Sequence, residues 1–227
     1  MANQRGLIDT LTNALGSGGL DRISRQIGAD REQTERAVAA ALPVLLGGLA
    51  REAEGQGAGS LNMALAEDHD GSVLDDFATS LNARPAPLAG GPGAGGGIFG
   101  DRAPSRATNG DGILRHVLGA KRTPVEQGIG RASGLGGAQV ASLLATLAPM
   151  LMGVLGRFKR QQGMGQNEVA DLLRGESETI EQQAPPGRFG RLREILDADQ
   201  DGDISDEVVK IGAALGGAFL LGKLRRT

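Results

Sequence analysis

The sequence predicts an all-α protein built from a duplicated helical unit, and three observations lead there. Leu and Ala dominate the apolar residues, while runs of alternating Val, Ile and Thr, the mark of half-buried strands, are missing. The 227 residues include no Trp, no Tyr and 5 Phe against 38 Gly, so the core must be aliphatic and its helices must approach closely. The segment Leu42-Pro43-Val44-Leu45-Leu46-Gly47-Gly48-Leu49 returns 106 residues later as Ala148-Pro149-Met150-Leu151-Met152-Gly153-Val154-Leu155. Aligned without gaps, residues 20–51 and 126–157 share ten identities in 32 positions, among them Gly28/Gly134, Gln33/Gln139, Ala39/Ala145 and Pro43/Pro149. Two such copies make either two tandem domains or one pseudo-symmetric bundle, and the sequence leaves both open.

In the first copy, Leu7, Ile8, Leu11 and Leu15 share a helical face, and Gly16-Ser17-Gly18-Gly19 should stop that helix. A second helix is expected from Leu20 to Ile27, ending at Gly28. Asp30-Arg31-Glu32-Gln33 has the form of a capping box, with an acceptor at the N-cap and Gln at N3. It opens a long helix to about Ala53 that carries Pro43 in its interior. A proline there removes one hydrogen bond and presses on the carbonyl four residues earlier, so a kink is expected. Ala39 and Ala145 stand four residues before the two prolines, where a small side chain relieves the crowding. A short helix over Leu61–Leu65, the acidic turn 67–72 and a helix through Phe77 and Leu81, capped by Ser72 with Asp75 at N3, complete residues 1–81 as the first repeat.

Residues 82–110 hold eight Gly and four Pro in 29 positions and read as a flexible linker. The second repeat, 111–174, restarts at Gly112-Ile113-Leu114. Thr123-Pro124-Val125-Glu126 reads as N-cap, N1 and N3 of a helix ending near Gly134. A long helix from about Ala138 to Arg160 carries Pro149, and a short one covers 167–173. Residues 175–187, polar with Pro185-Pro186, read as a second linker, and 188–227 as a C-terminal helix-loop-helix.

Composition narrows the function classes. A net charge of −3 with both signs scattered suggests no nucleic-acid partner, and the missing aromatics remove the platforms on which single strands stack. With no Cys there is no disulfide, thiolate metal site or Cys nucleophile. His69 and His116 stand alone, too few for zinc, and read as surface histidines. No Gly-x-Ser-x-Gly elbow and no Gly-Lys-Ser/Thr phosphate loop is present, and the paired carboxylates sit on turns open to solvent, so no enzyme is expected. The N-terminus lacks a signal-peptide pattern, which makes the expected location cytoplasmic. The apolar stretch near the C-terminus, Ile211–Gly222, has 12 residues, short of the roughly 20 that span a bilayer.

The sharpest candidate for chemistry is Asp197-Ala-Asp199-Gln-Asp201-Gly202-Asp203-Ile204-Ser205-Asp206-Glu207. Asp at loop positions 1, 3 and 5 with Gly at 6 matches a calcium-binding EF-hand loop, in which alternate oxygens converge on one hard cation. Position 12, which should bring a bidentate Glu, is Val208, and the acid falls one residue early at Glu207. The candidate calcium ligands are therefore Asp197, Asp199, Asp201, Asp203 and Glu207. The earlier turn repeats part of the pattern, with Asp68, Asp70, Gly71, Asp75 and Asp76 at a constant offset of 131, but Ala66 replaces the first acid. The plainer reading of both is an Asp/Gly turn that caps the next helix. The last helix, 208–224, carries Gly212, Gly216 and Gly217 and ends in cations, which suits packing onto the body or a second copy, with shallow membrane contact as an alternative.

The Leu-Pro-x-Leu-Leu-Gly-Gly-Leu helix, the Asp-His-Asp-Gly-Ser-Val-Leu-Asp-Asp turn, the Gly-Asp-Gly-Ile-Leu restart and the terminal Asp-x-Asp-Gly-Asp-Ile-x-Asp-Glu occur in that order. Together they resemble the bacterial domain-of-unknown-function family 937, which includes the YidB-like proteins, over about Leu7 to Leu173 and the final segment. The resemblance implies a bacterial, all-helical, cytoplasmic protein with no assigned reaction or ligand. The expected function is a non-enzymatic helical interaction or scaffold protein, self-associating or bound to a protein partner. The alternatives are calcium binding through Asp197 to Glu207 and peripheral membrane association through 208–224.

Overall fold

The computed structural model describes residues 6–82 and 106–183. These form α1 (Leu7–Ile27), α2 (Arg31–Glu54), α3 (Ala58–Glu67), α4 (Ser72–Asn82), α5 (Gly110–Leu118), α6 (Arg122–Ser133), α7 (Gly137–Gln162) and α8 (Gln166–Gln183), with 3-10 turns at Arg106–Thr108 and Gly119–Lys121. No strand occurs among the described residues.

The two copies do not fold side by side. Helix α1 of the first copy packs along α7 of the second, and α6 of the second packs along α2 of the first. The same exchange relates α3 on α7 to α8 on α2. One hydrophobic core therefore runs from Leu7 through Leu42, Leu45 and Leu46 to Leu147, Leu151 and Leu173. Each such leucine contributes about 1.5–3 kcal/mol of burial free energy. The described residues of both segments thus share one core and do not form two separate ones.

Reciprocal hydrogen bonds link the two similar segments. Gly28 and Gly134 end α1 and α6 in the left-handed conformation, at φ 66° and 79°, where a side chain would be strained. Gln33 Nε2 donates to Gly134 O at 3.2 Å, and Gln139 Nε2 donates to Gly28 O at 2.9 Å and to Ile27 O at 3.1 Å. Each glutamine, at the start of one copy's long helix, thus closes the last turn of the other copy's helix. Asp30 caps α2 as expected, accepting from Gln33 N at 2.8 Å. The back-donation of a full capping box appears in the second copy instead, where Gly136 N donates to Gln139 Oε1 at 2.9 Å.

Both prolines lie inside unbroken helices and are buried. Pro149 has no N–H for the carbonyl of Ala145. That carbonyl faces Gly110, the first residue of α5, so closely that a Cβ on Gly110 would overlap Ala145 O. A second such approach joins Gly156 of α7 to the carbonyl of His69. Beside it, a Cβ on Gly153 would lie 2.5 Å from Val73 Cγ1. Gly110 on α5 therefore admits close contact with α7, and Gly153 and Gly156 on α7 admit the α3–α4 turn.

The expected break at Gly16 is present: with φ 46° and ψ −168° it is non-helical and divides α1 into two helical segments at a kink, the second running to Ile27. Several other boundaries differ from expectation, each for a local reason. Thr123 is not an N-cap, because a 3-10 turn runs directly into α6 at Arg122, whose guanidinium pairs with Glu126 at 2.7 Å and Asp111 at 2.7 Å. Ser72 is the first residue of α4, and the acceptor for its N–H is Asp70, at 2.9 Å. Residues 175–183, expected in a linker, continue α8: Ile180 reaches the core and Glu176 Oε1 accepts from Leu7 N at 2.9 Å, capping α1 from outside. Among the described residues, α7 is long and apolar enough to cross a membrane, and 72% of its most apolar window is buried in the bundle. Gln139, Ser142 and Thr146 interrupt the apolar residues of α7, so it does not stand out beside the C-terminal apolar stretch.

Four substitutions test the backbone contacts and the exchange. Gly156→Ala should lower stability by about 3 kcal/mol or more in urea denaturation, since backbone rather than a movable side chain meets the new methyl. Gly59→Ala, with open space around it, should be neutral or stabilising by about 0.5–1 kcal/mol. Gln139→Ala should cost more than Gln33→Ala, because it removes three hydrogen bonds to backbone where Gln33 makes one, each worth about 1 kcal/mol. Equal losses at the two glutamines would contradict this account.

Candidate functional site

The end of α2, helix α3 with the turn after it, α5 and the middle of α7 surround a recess of about 250 Å³. The volume lies just under the roughly 300–1,000 Å³ typical of ligand pockets. Its floor is apolar, formed by the buried side chains of Leu49, Leu61, Val117 and Met152. Glu52, Asp68, Asn109 and His116 stand around it. The elements place them for local reasons. The Glu52 carboxylate lies against Gly57, where a Cβ would overlap it, beside the N-terminus of α3 and thus near the positive end of that helix. Asn109 is committed to capping α5, accepting from Gly112 N at 3.0 Å.

His69 also lines the recess, and it is not the surface histidine that its sequence setting suggested. It is 3% exposed, because the close seat of its carbonyl on Gly156 draws the whole turn onto α7. His116 does lie on the surface. Nδ1 of His69 is buried, with no hydrogen-bond partner among the described residues. Burial pushes the imidazole below its ordinary range, and the charges of Asp68 and Asp70 offset this only in part. Burial therefore favours the neutral form of the ring.

The acidic turn around it does not form a cation site. Asp70 is turned to Ser72, whose hydrogen bonds hold its carboxyl below the usual range. Asp75 points to Arg157, which reaches its two oxygens at 2.9 and 3.0 Å and the carbonyl of Gly71 at 3.0 Å. Asp70 and Asp75 thus diverge, each with its own structural partner, and no group of three or more His, Asp or Glu that could hold a metal exists among the described residues. The reading of this turn as a helix cap replaces the calcium alternative there. Asp197, Asp199, Asp201, Asp203 and Glu207, and the helix 208–224 assigned to membrane contact, lie outside the described residues. The recess itself was missed in the sequence, since its walls come from four separate elements. The one available signal was that both histidines flank the Gly/Pro-rich segment 82–110.

A depressed histidine pKa links stability to pH with a definite sign. The unfolded chain binds a proton near pH 6.5 that the folded chain resists, so stability is complete above 6.5 and declines as pH falls below it. Urea denaturation at pH 7.5, 6.5 and 5.5 should show this decline in the wild type and a smaller one in His69→Gln. Identical slopes would remove His69 as its source.

No curated protein and no solved structure matches the chain. A family model described as "Bacterial protein of unknown function (DUF937)" matches residues 9–109 and 95–158. These spans hold α1 to α6 and most of α7, including both proline-bearing helices and most of the walls of the recess. With most of its length matched in two successive passes, the chain belongs to the DUF937 family of bacterial proteins.

Proposed function

We propose that the protein is a non-enzymatic helical interaction or scaffold protein that works through the outer faces of its bundle, by self-association or by holding a protein partner. The observation that supports this most is where its charged groups are used. Arg31 pairs with Asp21 and Glu35, Arg122 with Asp111 and Glu126, Arg157 with Asp75, and Arg174 with Glu54 and Asp171. These pairs brace one helix against another or lie along one helix; they do not converge on an open cleft, as acid–base catalysis requires. Half-exposed pairs of this kind add little stability but fix the register of the helices, and with it the shape of the surface.

A second reading rests on the spacing of Asp197, Asp199, Asp201 and Gly202: calcium would order the C-terminal loop and change which surface is offered. Light scattering and native co-purification of the full chain, with calcium and with a chelator, test both. Oligomers or a co-purifying protein under both conditions are expected. A strict monomer with no partner under either condition would overturn the interaction reading. Association that requires calcium would favour the second reading.

A further inference from the structure

The recess bounded by α2, α3, α5 and α7 has properties that the interaction reading does not use. Its floor is aliphatic, which suits a short hydrocarbon body. Apolar cavities of ~150 Å³ hold benzene, so about 250 Å³ accommodates roughly ten heavy atoms. Two carboxylates, Glu52 and Asp68, belong to its walls, and no Lys or Arg does among the described residues lining it. Nearby cations are engaged elsewhere: Lys159 Nζ donates to Asn62 O at 2.9 Å and Arg51 to Val117 O at 3.3 Å. Burial disfavours a positive charge on the His69 ring, and its Nδ1 is a hydrogen-bonding atom that no group among the described residues uses.

We propose that this recess is a binding site for a small amphipathic amine, its hydrocarbon body against Leu49, Leu61, Val117 and Met152 and its ammonium between Glu52 and Asp68. An anion of the same size would face two carboxylates without a counter-charge, and a neutral analogue would keep the apolar contact while losing the charge attraction. The aliphatic stem and ammonium of a lysine side chain have the same chemistry as a free alkylamine. The site is independent of the assembly reading above, since a monomer can bind an amine and an oligomer can fail to.

Backbone amide chemical shifts of the full chain, titrated with hexylamine, 1-hexanol and hexanoate at equal concentration, test the site; with no Trp or Tyr, intrinsic fluorescence offers no comparable signal. Hexylamine should shift amides of residues 49–52, 60–69 and 109–117, at lower concentration than hexanol, and hexanoate should bind weakest. Glu52→Gln combined with Asp68→Asn should weaken hexylamine by about tenfold, the scale of two half-exposed ion pairs, and leave hexanol unchanged. Nα-acetyl-lysine N-methylamide separates the sources: binding as strong as hexylamine points to a partner's lysine, and much weaker binding to a free amine. No localised shift with hexylamine at millimolar concentration, hexanoate binding as well as hexylamine, or an amine affinity unchanged in the double variant would each overturn the proposal.

Discussion

Two contacts between a carbonyl and a glycine hold this bundle in its arrangement: Ala145 O against Gly110 and His69 O against Gly156. Both use α7. At the first, Pro149 has deprived the carbonyl of its helical donor, so the oxygen is left free to meet a neighbouring Cα, a weak but geometrically definite attraction. At the second, the whole α3–α4 turn is drawn down, which buries His69 and brings Asp75 within reach of Arg157. A core with almost no aromatic side chains has little volume to fill the space between widely separated helices. Close backbone approach is how such a sequence reaches normal packing density.

Local signals in the sequence were reliable where one segment decides the outcome. The Asp30 cap, the glycine-terminated ends at Gly28 and Gly134, and the two proline-bearing helices all follow from neighbours a few residues apart. The duplication was visible as well, and the positions Gln33/Gln139 and Gly28/Gly134 proved to be the reciprocal contacts themselves. What could not be seen was which copy each residue serves. Gln33 reads as half of a capping box, yet its side chain closes a helix 101 residues away. Residues 175–183 look like a polar linker until Glu176 meets the start of α1 and Ile180 meets the core.

The recess was illegible for the same reason. Leu49, Leu61, Val117 and Met152 are ordinary helix-face residues in their own segments, and only the crossing of the copies gathers them. The opposite happened at the acidic turn, where a local pattern suggested shared ligands and tertiary contacts sent Asp70 and Asp75 in different directions. Spacing can place carboxylates on one turn, but it does not determine whether an arginine from elsewhere claims one of them.

The reciprocal glutamines carry a consequence for what one copy could do alone. A polypeptide with a single copy would leave the carbonyls at its αL glycine unpaired and its long helix without a flanking neighbour. Both needs are met by a second identical molecule turned through half a revolution, with Gln33-type side chains crossing in each direction, the isologous geometry of a symmetric dimer. The present chain makes within one molecule, through Gln33 and Gln139, the reciprocal contacts that such a dimer would make across its interface.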